Sequence, residues 1–177
     1  MLRLARLVPS CPAEIRFGDY VPFAIDWPAH RSPDPRYWSI SGDYEILMIG
    51  VNRVTGALVS VENPASLRVE RAKSDLWPTE SVREGHPVVD LGSFPADETY
   101  FDAQDATSFE FRHSPRSIRL SWGRAEMVVA DGRCRFGFDS ADDLVAIGID
   151  GLTAPEARIV DDVMAFSAAD RGRPAGS

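Results

Sequence analysis

The sequence predicts a mainly β protein of the α+β type, with antiparallel meanders forming a curved sheet or open sandwich and one helix at the C-terminal end. Three observations predict it. Short apolar runs alternate with turn residues over most of the chain. One stretch, residues 125–150, spells strand, turn, strand, turn, strand. Helical periodicity is confined to the residues after Thr153.

In the meander, apolar runs at 127–130, 133–138 and 144–149 are separated by Asp131-Gly132 and by the polar turn 139–143. Successive strand side chains project to opposite faces, so Cys134, Phe136 and Phe138 face one way and Arg133, Arg135 and Gly137 the other. On the returning strand Val145, Ile147 and Ile149 make the matching apolar row, with Ala146 and Gly148 behind them. One face is core. The reverse face is small and basic, and is expected to be solvated or covered by a loop.

Upstream, residues 2–8 alternate Leu2, Leu4 and Leu7 against Arg3 and Arg6, as a first strand would. Residues 14–17 and 21–27 flank the turn Gly18-Asp19 and read as a hairpin. Three prolines in 28–35 make that segment a loop, because each removes a backbone donor and restricts its predecessor. Runs at 37–40, 44–51 and 57–62 form a second meander, with turns at Ser41-Gly42-Asp43 and at 52–56. Residues 46–62 resemble residues 134–150: Gly50 aligns with Gly137 and Asn52 with Asp139. Two half-buried hairpins obey the same pattern, so the likeness does not require a duplication.

Residues 63–107 are the least legible. A short strand is expected at 67–69, and from 71 to 107 the β pattern lapses into a polar, proline-broken stretch of the kind that is mobile or functionally engaged. It resumes with Phe109, Phe111 and His113 alternating against Glu110 and Arg112, then Ile118, Leu120 and Trp122 against Arg119 and Ser121. At the end, Thr153 can cap a helix, Pro155 and Glu156 suit its first turn, and Ala157, Val160, Met164 and Ala168 recur at helical spacing to about Asp170. Residues 1–170 are read as one domain and 171–177 as a disordered tail.

The 177 residues suffice for a sizeable core without metals or disulfides. A net charge of −8 repels phosphate backbones and anionic membranes, so nucleic-acid and membrane partners are not expected. The N-terminal stretch intersperses charges among its leucines and lacks the unbroken apolar core of a signal peptide or anchor, which leads to the expectation of a cytoplasmic protein. Cys11 and Cys134 are the two cysteines. Cys134 lies on an apolar row where a thiol behaves as a small hydrophobe, and no disulfide between them is expected.

No nucleophile elbow, phosphate loop, dinucleotide fingerprint or paired-histidine zinc motif is present. His30, His86 and His113 are far apart, and no two share a metal-ligand spacing, so no metal or cofactor is assigned. Asp139, Asp142 and Asp143 make an acidic turn that lacks the glycine and distal glutamate of a calcium loop; aspartates are also ordinary turn builders. Trp77, Phe94, Tyr100 and Phe101 sit in otherwise polar segments. There they serve either as partner anchors or as pins that hold a long loop to the core.

The reading these residues support is a small, acidic, non-enzymatic module that binds another protein, with the acidic turn and the four aromatics as candidate contacts. The pattern of strand, acidic turn and Leu-Val strand, with the charge, resembles the small acidic immunity proteins of bacterial toxin systems. That resemblance covers the two hairpins and implies a basic toxin domain as partner. The alternative is a β-sheet enzyme or ligand-binding protein with a site between sheet and middle loops, where His86, Asp90 and His113 are the first suspects.

Overall fold

The computed structural model describes residues 1–18, 23–41, 46–65, 69–72, 75–77, 82–94, 99–102 and 110–170. Its strands run in chain order as β1 (Leu4–Val8), β2 (Glu14–Arg16), β3 (Phe23–Asp26), β4 (Arg36–Ser41), β5 (Ile46–Val51), β6 (Leu58–Ala65), β7 (Val69–Arg71), β8 (Val82–Glu84), β9 (His86–Val89), β10 (Tyr100–Asp102), β11 (Glu110–His113), β12 (Ser117–Ser121), β13 (Met127–Asp131), β14 (Cys134–Phe138) and β15 (Leu144–Asp150). One helix, α1 (Ala154–Asp170), follows. The strands form a six-stranded sheet ordered β10-β4-β5-β6-β3-β2, a seven-stranded sheet ordered β7-β11-β12-β15-β14-β13-β8, and a ribbon of β1 and β9. The protein is mainly β, its sheets mostly antiparallel and open, with one C-terminal helix, as the alternation predicted.

Registered partners share a face of a sheet. Phe101, Trp38, Ile49, Val61, Ile25 and Ile15 therefore form one row across the six-stranded sheet. Phe111, Leu120, Ile147, Phe136 and Val129 form the corresponding row on the seven-stranded sheet. The two rows meet in one core. Phe23 lies 6.5 Å from Phe111 between ring centres, and Trp27 lies 5.7 Å from Phe136. Each large apolar side chain withdrawn from water there contributes roughly 1.5–3 kcal/mol before conformational entropy is subtracted.

The helix starts where the sequence places it. Thr153 N donates to Glu156 Oε2 at 2.7 Å and Glu156 N donates back to Thr153 Oγ1 at 3.4 Å, a reciprocal cap. Arg133 holds the same carboxylate at 2.7 and 3.1 Å, and with the Thr153 bonds brings Glu156 down to about 2 against the opposing effect of burial. Val160 and Leu152 are buried in the core, which fixes the helix to the seven-stranded sheet.

Three expectations are corrected. First, a bulge between Gly137 and Phe138 sets Leu144, not Val145, opposite Phe138. Second, residues 71–107 are not uniformly irregular: β8, β9 and β10 lie there, each short and paired with a strand distant in sequence, so no local alternation announces them. Third, the proline loop 28–35 opens with a 3-10 turn, Pro28–His30. The likeness of the two hairpins extends to geometry. β5-β6 is also bulged, between Gly50 and Val51, and Asn52 Oδ1 and Asp139 Oδ1 each accept two backbone N–H groups of the following turn. The turns expected at Asp19 and at 42–43, the expected strand residue Leu67, Phe109, the side chains of Met164 and Ala168, and residues 171–177 lie outside the described residues.

Candidate functional site

With their inner faces buried against each other, the sheets differ on the outside. Alternation along β4 and β5 turns Tyr37, Ser39, Met48 and Gly50 away from the core. Registration extends these into two outer rows on the six-stranded sheet. One runs Tyr100, Tyr37, Gly50, Ser60, Asp26, Glu14, and the other Ser39, Met48, Glu62, Ala24, Arg16. Tyr100 is 65% exposed and stacks on half-buried Tyr37 at 5.2 Å between ring centres. Burial, then Tyr100, Glu62 and Asp26, hold the Tyr37 phenol above its ordinary value, which places both carboxylates within electrostatic reach of the aromatic pair. Asp26 also pairs with Arg16 of the neighbouring strand.

The predicted contact residues fall in different places. Trp77 and Phe94 are buried, and Trp77 donates its indole N–H to the Ile118 carbonyl at 3.2 Å, so these two are loop pins. Phe101 packs on the core and meets Phe94 edge-on at 6.5 Å. Tyr100 alone of the four presents most of its surface to solvent. In the acidic turn the Asp139 carboxylate accepts from Ala141 N and Asp143 N, at 2.9 and 3.0 Å, and so builds the turn. Asp143 pairs with Arg3 at 3.4 Å, and Asp142, with φ of 61°, is the exposed tip.

The alternative trio has three separate sets of partners. Asp90 accepts from Gly92 N and lines a polar cleft of about 390 Å³ with Met1, Arg3, Gly92 and Asp143. His113 directs Nδ1 toward Asp161 of α1 at 3.4 Å; burial lowers its pKa, with Asp161 opposing. His86 is wholly buried, with Nδ1 2.8 Å from the Asp131 carboxylate and Nε2 donating to the Leu58 carbonyl at 3.0 Å. Because Asp131 ends β13 and Leu58 begins β6, one imidazole on the β1-β9 ribbon clamps the two large sheets together. Burial pushes the Asp131 carboxyl up, yet the His86 bond and charge outweigh it and the net shift is downward; Ser10 and Trp27 add to the lowering. Trp27 Nε1 and Asp131 Oδ1 themselves fall short of hydrogen-bond geometry.

No protein-family model and no curated protein matches this chain. Among the described residues no helix is long and apolar enough to cross a membrane, and both cysteines are free. The outer-row residues Tyr37, Met48, Glu62 and Asp26 were not singled out in the sequence. The period-two pattern of RYWSIS and ILMIGV carried the facing, but strand order, which sets these residues side by side, is not local information.

Proposed function

We propose that this protein is a non-enzymatic binding module whose outer six-stranded face receives a basic protein partner. What supports the reading is the outer face itself: exposed Tyr100 stacked on half-buried Tyr37, with Met48, Glu62 and Glu14 in the same rows and Asp26 paired with Arg16, in a chain of net charge −8. Tyrosine and methionine are enriched where proteins bind each other, and like-signed carboxylates around them favour a cationic partner. The finer form of the proposal is an immunity-type inhibitor of a basic toxin domain, in a bacterial, cytoplasmic setting. An enzymatic role built on His86, His113 and Asp90 fits less well, because the three engage separate sets of partners.

The test mixes the purified chain with the purified product of the reading frame adjacent to its own. Tight binding that is weakened by Tyr37→Ala with Tyr100→Ala, and separately by Glu62→Lys, supports the proposal. Absence of binding, or binding indifferent to these substitutions, overturns it.

A further inference from the structure

Three side chains from separate parts of the chain converge beside the His86 clamp. Cys11 lies in the link between β1 and β2, His30 closes the 3-10 turn after β3, and His86 opens β9. The Cys11 Sγ and one ring nitrogen from each histidine lie within 4.8 Å of one another. The fold makes this cluster and local spacing does not, since the ligand types are dispersed along the sequence.

We propose that Cys11, His30 and His86 form a binding site for a thiophilic transition-metal dication, of which Zn²⁺ is the ordinary example. One thiolate and two imidazoles are a donor set such ions prefer over Mg²⁺ or Ca²⁺, and three protein ligands leave one position open to an external ligand. Asp131 occupies the place of the outer carboxylate that orients a ligating imidazole, holding His86 through Nδ1 and leaving Nε2 as the coordinating atom. His30 supplies a second observation. Among the described residues its Nε2 is buried without a hydrogen-bond partner, and a buried nitrogen left so is costly unless something fills its lone pair.

The chemistry of loading is definite. The ion replaces the proton on His86 Nε2, so the bond to the Leu58 carbonyl is exchanged for a nitrogen–metal bond. It also displaces the Cys11 thiol proton. Burial, then the Asp131 charge, raise the Cys11 pKa, and a bound cation would oppose that by favouring the thiolate. Burial and the neighbouring His86 lower the His30 pKa, which keeps that ring neutral and able to ligate. The two rings stack at 4.2 Å with 27° between planes, so one ring swings out of the stack for the lone pairs to converge. Cys11 and His30 are each only half-buried, giving the ion a route from solvent.

The experiment titrates the reduced, full-length chain with Co²⁺ and then competes it with Zn²⁺. Expected are a thiolate-to-cobalt charge-transfer band with tetrahedral ligand-field bands, bleached by Zn²⁺, and proton release in weak buffer. Cys11→Ser abolishes the charge-transfer band, and His30→Gln weakens Co²⁺ binding by about tenfold or more. Cys134→Ser, altering a buried thiol outside the trio, leaves the spectrum unchanged. Circular dichroism of each variant separates loss of a ligand from loss of fold. No band up to millimolar Co²⁺ overturns the site, as does a band that survives Cys11→Ser; binding unaffected by His30→Gln overturns the histidine ligation.

Discussion

The outer faces of the two large sheets have had opposite fates. On the seven-stranded sheet the outer row reads Glu70, Arg112, Arg119, Gly148, Arg135, Ala130, Glu84, basic at its centre and small at Gly148 and Ala130. The small positions admit a cover. Trp77 lies over them with Leu76, Val128 and Ala146, and a side chain at Gly148 would meet the Trp77 ring at 2.9 Å. Arg119 closes the contact, its guanidinium 5.2 Å from the Trp77 ring centre and bonded to the Leu76 carbonyl. On the six-stranded sheet the outer rows mix the small residues Gly50, Ser60 and Ala24 with tyrosines, methionine and carboxylates, from exposed Tyr100 and Glu14 to half-buried Tyr37, Met48 and Glu62. On the seven-stranded face an aromatic lid fills the room that Gly148 and Ala146 leave; on the six-stranded face the tyrosine pair and Met48 stand in the outer rows themselves.

The comparison breaks most severely if its frame is removed. Asp131→Asn or His86→Ala strips one partner from the buried clamp and should cost about 3–5 kcal/mol, read from urea midpoints. Parent-like stability would mean the sheets do not depend on that clamp. The next largest effect separates the faces directly. Trp77→Ala should destabilise by about 3 kcal/mol because it uncovers a packed patch, whereas Met48→Ala should stay within roughly 0.5–1 kcal/mol. Equal losses at the two positions would show that both faces are structural. In the core between them, Phe136→Ala and Ile147→Ala should each cost about 3 kcal/mol.

Acid provides a gentler probe. Glu156 is depressed to about 2 and Asp131 is also lowered, so their stabilisation is present above the unfolded carboxylate range and lost as pH falls through the folded values. Glu156→Gln should lower stability by about 1 kcal/mol at neutral pH, the worth of a helix cap, and flatten the decline between about pH 4.5 and 2. A variant whose stability falls as steeply as the parent's over that window would contradict the assignment.

These effects also mark what the sequence could and could not convey. Strands whose neighbours follow directly in the chain were legible: β13, β14 and β15 alternate, turn at Asp131-Gly132, and pair in order. The cap at Thr153 and Glu156 was equally local. β8 to β10 were not legible. They span three or four residues each, β9 carries a proline and is buried throughout, and their partners β13, β1 and β4 are remote. The same limit hid the sites. His86 drew attention as a histidine near the middle loops, but its partners Asp131 and Leu58, and its neighbours Cys11 and His30, come from four other segments. Tyr37 and Glu62 likewise become neighbours only once β5 is inserted between β4 and β6.

The central claim, that the six-stranded outer face is a receptor for a basic partner, is tested most directly by association rates in increasing salt. The measurement uses the adjacent reading frame's product and three proteins: the parent, Glu62→Gln with Asp26→Asn, and the acidic-turn variant Asp139→Asn, Asp142→Asn, Asp143→Asn. Association of the parent should slow steeply with salt while dissociation changes less, and the sheet-face variant should lose most of that salt dependence. The turn variant should keep it, because the 139–143 turn joins β14 to β15 of the seven-stranded sheet and not the outer face of the six-stranded one. A salt slope that survives the face substitutions and vanishes with the turn substitutions would move the binding site off the sheet and contradict the claim.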